Sequence, residues 1–247
     1  NPKLRDLIFC IDDKNREYEF FARKIRNNTE HQGMLFTPAT DLDSFGNIDS
    51  LMSQYNAHVY YKHLGRKIKK YKGFFYISEY ADDSAEIIKK LLELTQSSIG
   101  GYRASVESWL RNYYIDCDEK KEAILRLFEN SSVAIIYGAA GTGKSTLINH
   151  ISNFFSDKDK IYLANTHPAV ENMHRKVKTA NCEFKTIKSF LSDNNDHFEC
   201  DVLVIDECST VSNHDMRMVI EKAKFDLLIL VGDVYQIESI MFGNWFS

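Results

Sequence analysis

The chain has 247 residues, 44% hydrophobic and 27% charged, with a formal net charge of −4. That is enough apolar chain to bury a full core, and the charge excludes an all-over basic coat. Residues 1–116 hold 17 Lys and Arg against 16 Asp and Glu, and residues 117–247 hold 14 against 19, so a polyanion would have to bind in a local groove.

No apolar run approaches the roughly 20 residues of a membrane helix, and the N-terminal stretch lacks the apolar core and cleavage site of a signal peptide. The expected setting is therefore the cytoplasm, away from membranes. The first residue is Asn1 rather than Met, which suggests an excised or processed piece. Cys10, Cys117, Cys182, Cys200 and Cys208 never fall in a CxxC spacing, so neither a disulfide framework nor a zinc site is expected.

In chain order, Asp12 to Asn27 carries Ile11, Tyr18, Phe21, Ala22 and Ile25 at a rough three-four spacing that predicts an amphipathic helix. Gly33 to Asn47 reads as a loop and Ile48 to Tyr61 as a helix. Lys62 to Lys72, KHLGRKIKKYK, is a basic run, followed after Gly73 by the short predicted strand FFYISEY. A basic run beside aromatics is what single-strand binding surfaces use, with Lys67, Lys69 and Lys70 as its cations. A solvated helix end beside a core strand reads the same way. Asp82-Asp83-Ser84 offers an N-cap to a helix whose apolar face is Ile87, Ile88, Leu91, Leu92 and Thr95. A further helix over Ser105 to Tyr114 buries Val106, Trp109, Leu110 and Tyr113. Residues 1–116 thus form a mostly helical α+β accessory region, a possible protein-partner site, with a boundary near Asp116.

From Asp118 the pattern changes. A helix over Glu119 to Glu129 leads into the strand Val133–Tyr137, and helices then alternate with apolar strands at Ile161–Ala164, Val202–Ile205 and Leu227–Val231. Alternation of this kind predicts a parallel sheet covered by helices, with ligands at the carboxyl ends of the strands. The first strand ends in GAAGTGKST, which satisfies GxxxxGK[ST] at Gly138, Gly143, Lys144 and Ser145. Glycines at 138, 141 and 143 let successive amides converge on a phosphate, and the following helix adds its positive end. Lys144 brings a charge to the β- and γ-phosphates, and Ser145 a hydroxyl to Mg²⁺. The expected nucleoside-triphosphate site is Gly138, Gly141, Thr142, Gly143, Lys144, Ser145 and Thr146. After Val202–Ile205 come Asp206 and Glu207, the first read as the metal carboxylate and the second as the group that orients or deprotonates water. The last strand ends in GDVYQ, whose Gln236 could report the γ-phosphate without adding charge.

GAAGTGKS, VIDECS and GDVYQ, in this order and spacing, resemble motifs I, II and III of superfamily 1 DNA helicases, and ANTHPAV resembles motif Ia of the RecD and Dda branch. The resemblance covers residues 117–247 and implies a RecA-like P-loop NTPase domain that hydrolyses ATP with Mg²⁺, using Lys144, Glu207 and Gln236. It also implies backbone contacts to single-stranded DNA from Thr166, His167 and Lys188, the last in an element, TIKSFL, similar to the family's T-x-H-S-L-L. Three positions depart from the pattern. Lys120 stands where a glutamine usually reads adenine, Lys188 where histidine is frequent, and Cys208 where a smaller residue is usual. The family carries its remaining motifs, including an arginine that completes the ATP site, in a second RecA-like domain, and this chain ends soon after Gln236. The piece is therefore expected to hold the first motor domain and to hydrolyse nucleotide poorly alone. An ATPase switch acting through protein partners, without unwinding, is the alternative.

Overall fold

A computed structural model describes residues 15–139, 141–194, 198–233 and 245. The chain divides into two compact units after Ala85. Cys10, Ile11 and Asp12 lie outside the described residues.

The first unit opens with α1 (Glu17–Gln32), closed by Gly33 in the left-handed conformation with its N–H on Asn28 O. The stretch expected to be a loop contains β1 (Thr37–Pro38) and a 3-10 turn over Ala39–Leu42. Next comes α2 (Ile48–His58), capped by the Asn47 side chain on Ser50 N. A 3-10 stretch over Tyr61–Arg66 leads into β2 (Ile68–Tyr71) and β3 (Phe74–Ile77). These strands form an antiparallel hairpin, with β1 added on the other side of β3. Its two-residue turn, Lys72-Gly73, has φ of 45° and 83°, the sign that matches the right-handed twist of the strands. One sheet face packs Ile68, Phe75 and Ile77 on Phe21, Ile25 and Leu42.

The helix expected to start at Asp82-Asp83-Ser84 starts earlier, as α3 (Ser78–Leu94). No Gly or Pro separates it from β3, and alanines at 81 and 85 favour propagation, so the acidic run lies inside the helix. Ser84 Oγ donates to the Tyr80 carbonyl at 2.8 Å instead of capping.

The second unit takes in residues from Glu86 onward. It continues with α4 (Tyr102–Leu110), α5 (Asp118–Arg126), β4 (Val133–Tyr137), α6 (Lys144–Phe154), β5 (Lys160–Ala164) and α7 (His167–Lys176). Then follow β6 (Cys182–Thr186), α8 (Ile187–Ser192), β7 (Phe198–Ile205), α9 (Asn213–Lys222) and β8 (Ala223–Gly232). The five strands form a parallel sheet in the order β4-β8-β7-β5-β6 with helices on both faces, an α/β RecA-like arrangement. Strand alternation builds the two layers. Val202 and Val204 of β7 face one core with Ile148, Ile151 and Met173, while Leu203 and Ile205 face the other with Phe190, Met216 and Val219. Residues between 86 and 116 supply both layers, Ile87 and Leu94 on one side and Tyr102, Val106 and Ile115 on the other. Their apolar stripes need the sheet as cover, and the Tyr102 hydroxyl donates to Ile124 O at 2.7 Å. No helix among the described residues is long and apolar enough to cross a membrane.

Candidate active site at the carboxyl edge of the parallel sheet

All five strands run the same way, so their carboxyl ends share one edge, where α/β proteins place their sites. Gly138 leaves β4 with its N–H on Gly232 O at 3.3 Å, joining the loop to the end of β8. Gly141 and Gly143 take φ of 84° and 85°, a region that side chains with a Cβ avoid. Gly143 precedes Lys144, the first residue of α6, so the amides and positive dipole of that helix face the turn. Thr142 Oγ1 donates to Ala139 O at 2.9 Å. Lys144 folds over its own loop, its Nζ donating to Gly138 O and, at 2.9 Å, to Ala139 O.

Asp206 and Glu207 follow β7, which is separated from β4 by β8 alone. Asp206 N donates to Leu163 O at 2.8 Å, and Asp206 Oδ1 accepts the Glu207 N–H at 2.9 Å. Glu207 lies at φ 54° and ψ 41°, a left-handed conformation that costs free energy for a residue with a Cβ and collects at functional sites. It is held there by Thr210, whose N–H and hydroxyl both donate to Glu207 O at 2.8 Å. Burial pushes both carboxyl groups above their ordinary range. At Asp206 this is opposed by the Glu207 N–H and by the charges of Lys144 and Lys176, whereas at Glu207 the Asp206 charge adds to it.

The loop and the acidic pair face each other across a cleft of about 350 Å³, lined by Gly141, Gly143, Lys144, Ser145, Thr146, Asp206 and Glu207. Gly232 and buried Asp233, at the end of β8, complete one wall. Gln236 lies outside the described residues. Two lining residues escaped sequence reasoning, Asn172 and Lys176 of α7. Lys176 Nζ donates to Ser145 Oγ at 3.3 Å, placing a second cation in the cleft. In sequence it reads as one of three basic residues in a last helical turn, His174, Arg175 and Lys176, an ordinary complement to the helix dipole. The Ser145 hydroxyl and Asp206 carboxylate are hard oxygen donors in one cleft, a set that fits Mg²⁺ completed by phosphate and water.

Lys120, the position that departs from the adenine-reading glutamine, stands against the loop. A Cβ added to Gly143 would lie 3.3 Å from its Cε. It pairs with Asp116, which also contacts His150 Nε2 at 3.3 Å.

The residues expected to meet nucleic acid emerge from two neighbouring strands. Ala164, the end of β5, is in register with Thr186, the end of β6. Thr166 and His167 are exposed, with Thr166 Oγ1 accepting from Ala169 N to cap α7. Lys188 is exposed in the first turn of α8, where Thr186 caps Ser189 N in the same way. The structure thus gathers the loop with the acidic pair in one cleft, while Thr166, His167 and Lys188, at the helix starts that follow β5 and β6, are not among its lining residues.

A search of curated proteins finds no match to the chain. A family model described as AAA domain matches residues 117–247, a domain found in superfamily 1 helicase-like P-loop ATPases. The match spans β4 to β8 and every residue lining the cleft, and on this ground the chain belongs to the AAA domain family of P-loop NTPases.

Proposed function

We propose that the chain is the first motor domain of an ATP-driven DNA helicase or translocase, of the RecD and Dda-like branch of superfamily 1, that couples hydrolysis to movement on single-stranded DNA. The observation that carries this reading beyond nucleotide hydrolysis is the register of Ala164 with Thr186. It brings two capped helix starts, with exposed Thr166, His167 and Lys188, to adjacent strand ends on the same edge as the cleft. Hydroxyls and a lysine at helix starts suit phosphates of a backbone.

In the cleft, Lys144 leaves the Gly138 and Ala139 carbonyls for the β- and γ-phosphates, which offer a stronger, charged acceptor. Ser145 and Asp206 would hold a magnesium ion, which would offset charge on the phosphate oxygens. Glu207, whose carboxyl burial pushes above its ordinary range, orients water and accepts its proton. Gln236 is the proposed reporter of the γ-phosphate. The arginine that would complete the site is expected from a second RecA-like domain, and such a residue is worth about 10³ to 10⁵ in rate, so this domain alone turns over slowly.

The test is steady-state hydrolysis by the full-length protein, with and without saturating single-stranded DNA, alongside Lys144→Ala. DNA should accelerate the wild type severalfold and do nothing for the variant. An unchanged wild-type rate removes the motor reading and leaves an NTPase that works through protein partners.

A further inference from the structure

The first unit carries a second surface that the cleft does not explain. In the β2–β3 hairpin, Ile68, Phe75 and Ile77 turn inward to the core, so strand alternation sends Lys69, Tyr71, Phe74 and Tyr76 to the opposite face. The register pairs Tyr71 with Phe74 and Lys69 with Tyr76 across the strands, with side chains of such pairs about 5 Å apart at Cβ. Phe36, just ahead of β1, extends the row by packing edge-on against Tyr76 at 5.2 Å between centroids. Tyr71 is 60% exposed, Phe36 44% and Phe74 43%. Leaving three large rings together in water is unfavourable unless something covers them.

Charge points to what that is. Between Tyr60 and Ile77 there are six Lys and Arg and no Asp or Glu. Arg66 and Lys70 are neutralised by Glu79 and Asp49, but Lys69 and Lys72 make no ion pair among the described residues. Lys72 projects from the hairpin turn with its Nζ 5.3 Å from the Tyr71 ring centroid. An occupant must present flat apolar faces to the rings and negative charge to the lysines at the same spacing. Single-stranded nucleic acid does both, since every base has a stackable face and every linkage a phosphate.

We propose that the open face of this hairpin is a single-stranded nucleic-acid platform, with Tyr71, Phe74 and Phe36 stacking bases and Lys69 and Lys72 following phosphates. It is built from residues of the first unit alone and does not depend on the motor reading.

The test uses the full chain without nucleotide, so hydrolysis is not read and failure of the motor reading leaves it intact. A fluorescein-labelled oligothymidylate is titrated against wild type, Tyr71→Ala/Phe74→Ala, and Tyr71→Phe/Phe74→Tyr, which keeps both rings. Loss of two stacking rings should weaken binding at least tenfold, and the ring-preserving pair should stay within about twofold of wild type. Lys69→Glu/Lys72→Glu should flatten the slope of log affinity against log salt by about 1.4, two phosphate contacts at 0.7 each. An oligonucleotide bearing 5-iodouracil should cross-link to residues 69–76. Equal affinity of the alanine pair and wild type, or cross-links confined to residues 117–247, would overturn the proposal. Displacement by polyglutamate with no cross-link to the hairpin would overturn it as well, in favour of an acidic protein partner.

Discussion

Replacing Lys176 by methionine keeps the length of the side chain and deletes one charge from the cleft. In the wild type its Nζ lies 3.3 Å from Ser145 Oγ, in the same cleft as Lys144 and Asp206. A unit charge about 4 Å from a phosphate charge is worth on the order of 4 kcal/mol near a protein surface. Lys176 is exposed, so solvent screening brings the usable part nearer the ~1.5–3 kcal/mol of a charged hydrogen bond. At about 1.4 kcal/mol per decade, that is a ten- to hundredfold loss of triphosphate affinity. Because Ser145 is the proposed magnesium ligand, the loss should fall on the terminal phosphate, and diphosphate affinity should drop far less. Equilibrium titration with fluorescent tri- and diphosphate analogues gives both numbers, and Lys176→Arg should recover most of the ratio. Equal loss for the two nucleotides would mean that Lys176 only shapes the cleft. An unchanged triphosphate affinity would mean that it takes no part.

Glu207→Gln should keep nucleotide binding within a few fold while lowering turnover at least 10²-fold, the usual contribution of a positioned base; a single-turnover assay separates the two effects. Asp206→Asn should raise the thermal midpoint in the absence of magnesium. Burial raises the Asp206 pKa, so between its ordinary value and its folded value the native state binds more protons than the unfolded one, and stability falls as pH rises through that window. Above that window the penalty is present in full, and the neutral amide removes it. The expected gain is about 2–4 °C for each ~1 kcal/mol recovered in a chain of this size, and the gain should shrink toward acid pH. A calorimetric scan showing a lower midpoint at pH 7 would contradict this sign. Phe128→Ala, at a fully buried ring packed on Tyr102 and Phe155, should cost about 3–5 kcal/mol in urea unfolding.

Much of the site was legible because its chemistry is written in contiguous residues. The glycines at 141 and 143, the lysine and hydroxyls that open α6, and the acidic pair at the end of an aliphatic strand each carry local backbone demands. The apolar strands were visible for the same reason, although their limits were not. β7 begins at Phe198 and β8 at Ala223, earlier than the aliphatic runs, because flanking residues such as Lys224 join the ladder opposite Glu199 without being buried. β6 was missed altogether. Its CEFKT lies on the sheet edge beside β5 only, half solvated, with no aliphatic run to announce it.

By itself, the sequence determined the order of loop, strand, acidic pair and helix, since each follows from short-range sterics and periodicity. Only the tertiary structure decided which distant residues meet. The strand order brought Asp206 opposite the loop, α7 carried Lys176 to Ser145, and register paired Ala164 with Thr186, the strand ends that precede Thr166 and Lys188. It also moved Ile87, Leu94, Tyr102 and Val106 into the core of the parallel sheet, and it split the basic run Lys62–Lys72 between a 3-10 stretch and the first strand and turn of a hairpin. Such contacts depend on which apolar faces find each other when the chain collapses, and that choice is made by the whole core rather than by any one segment.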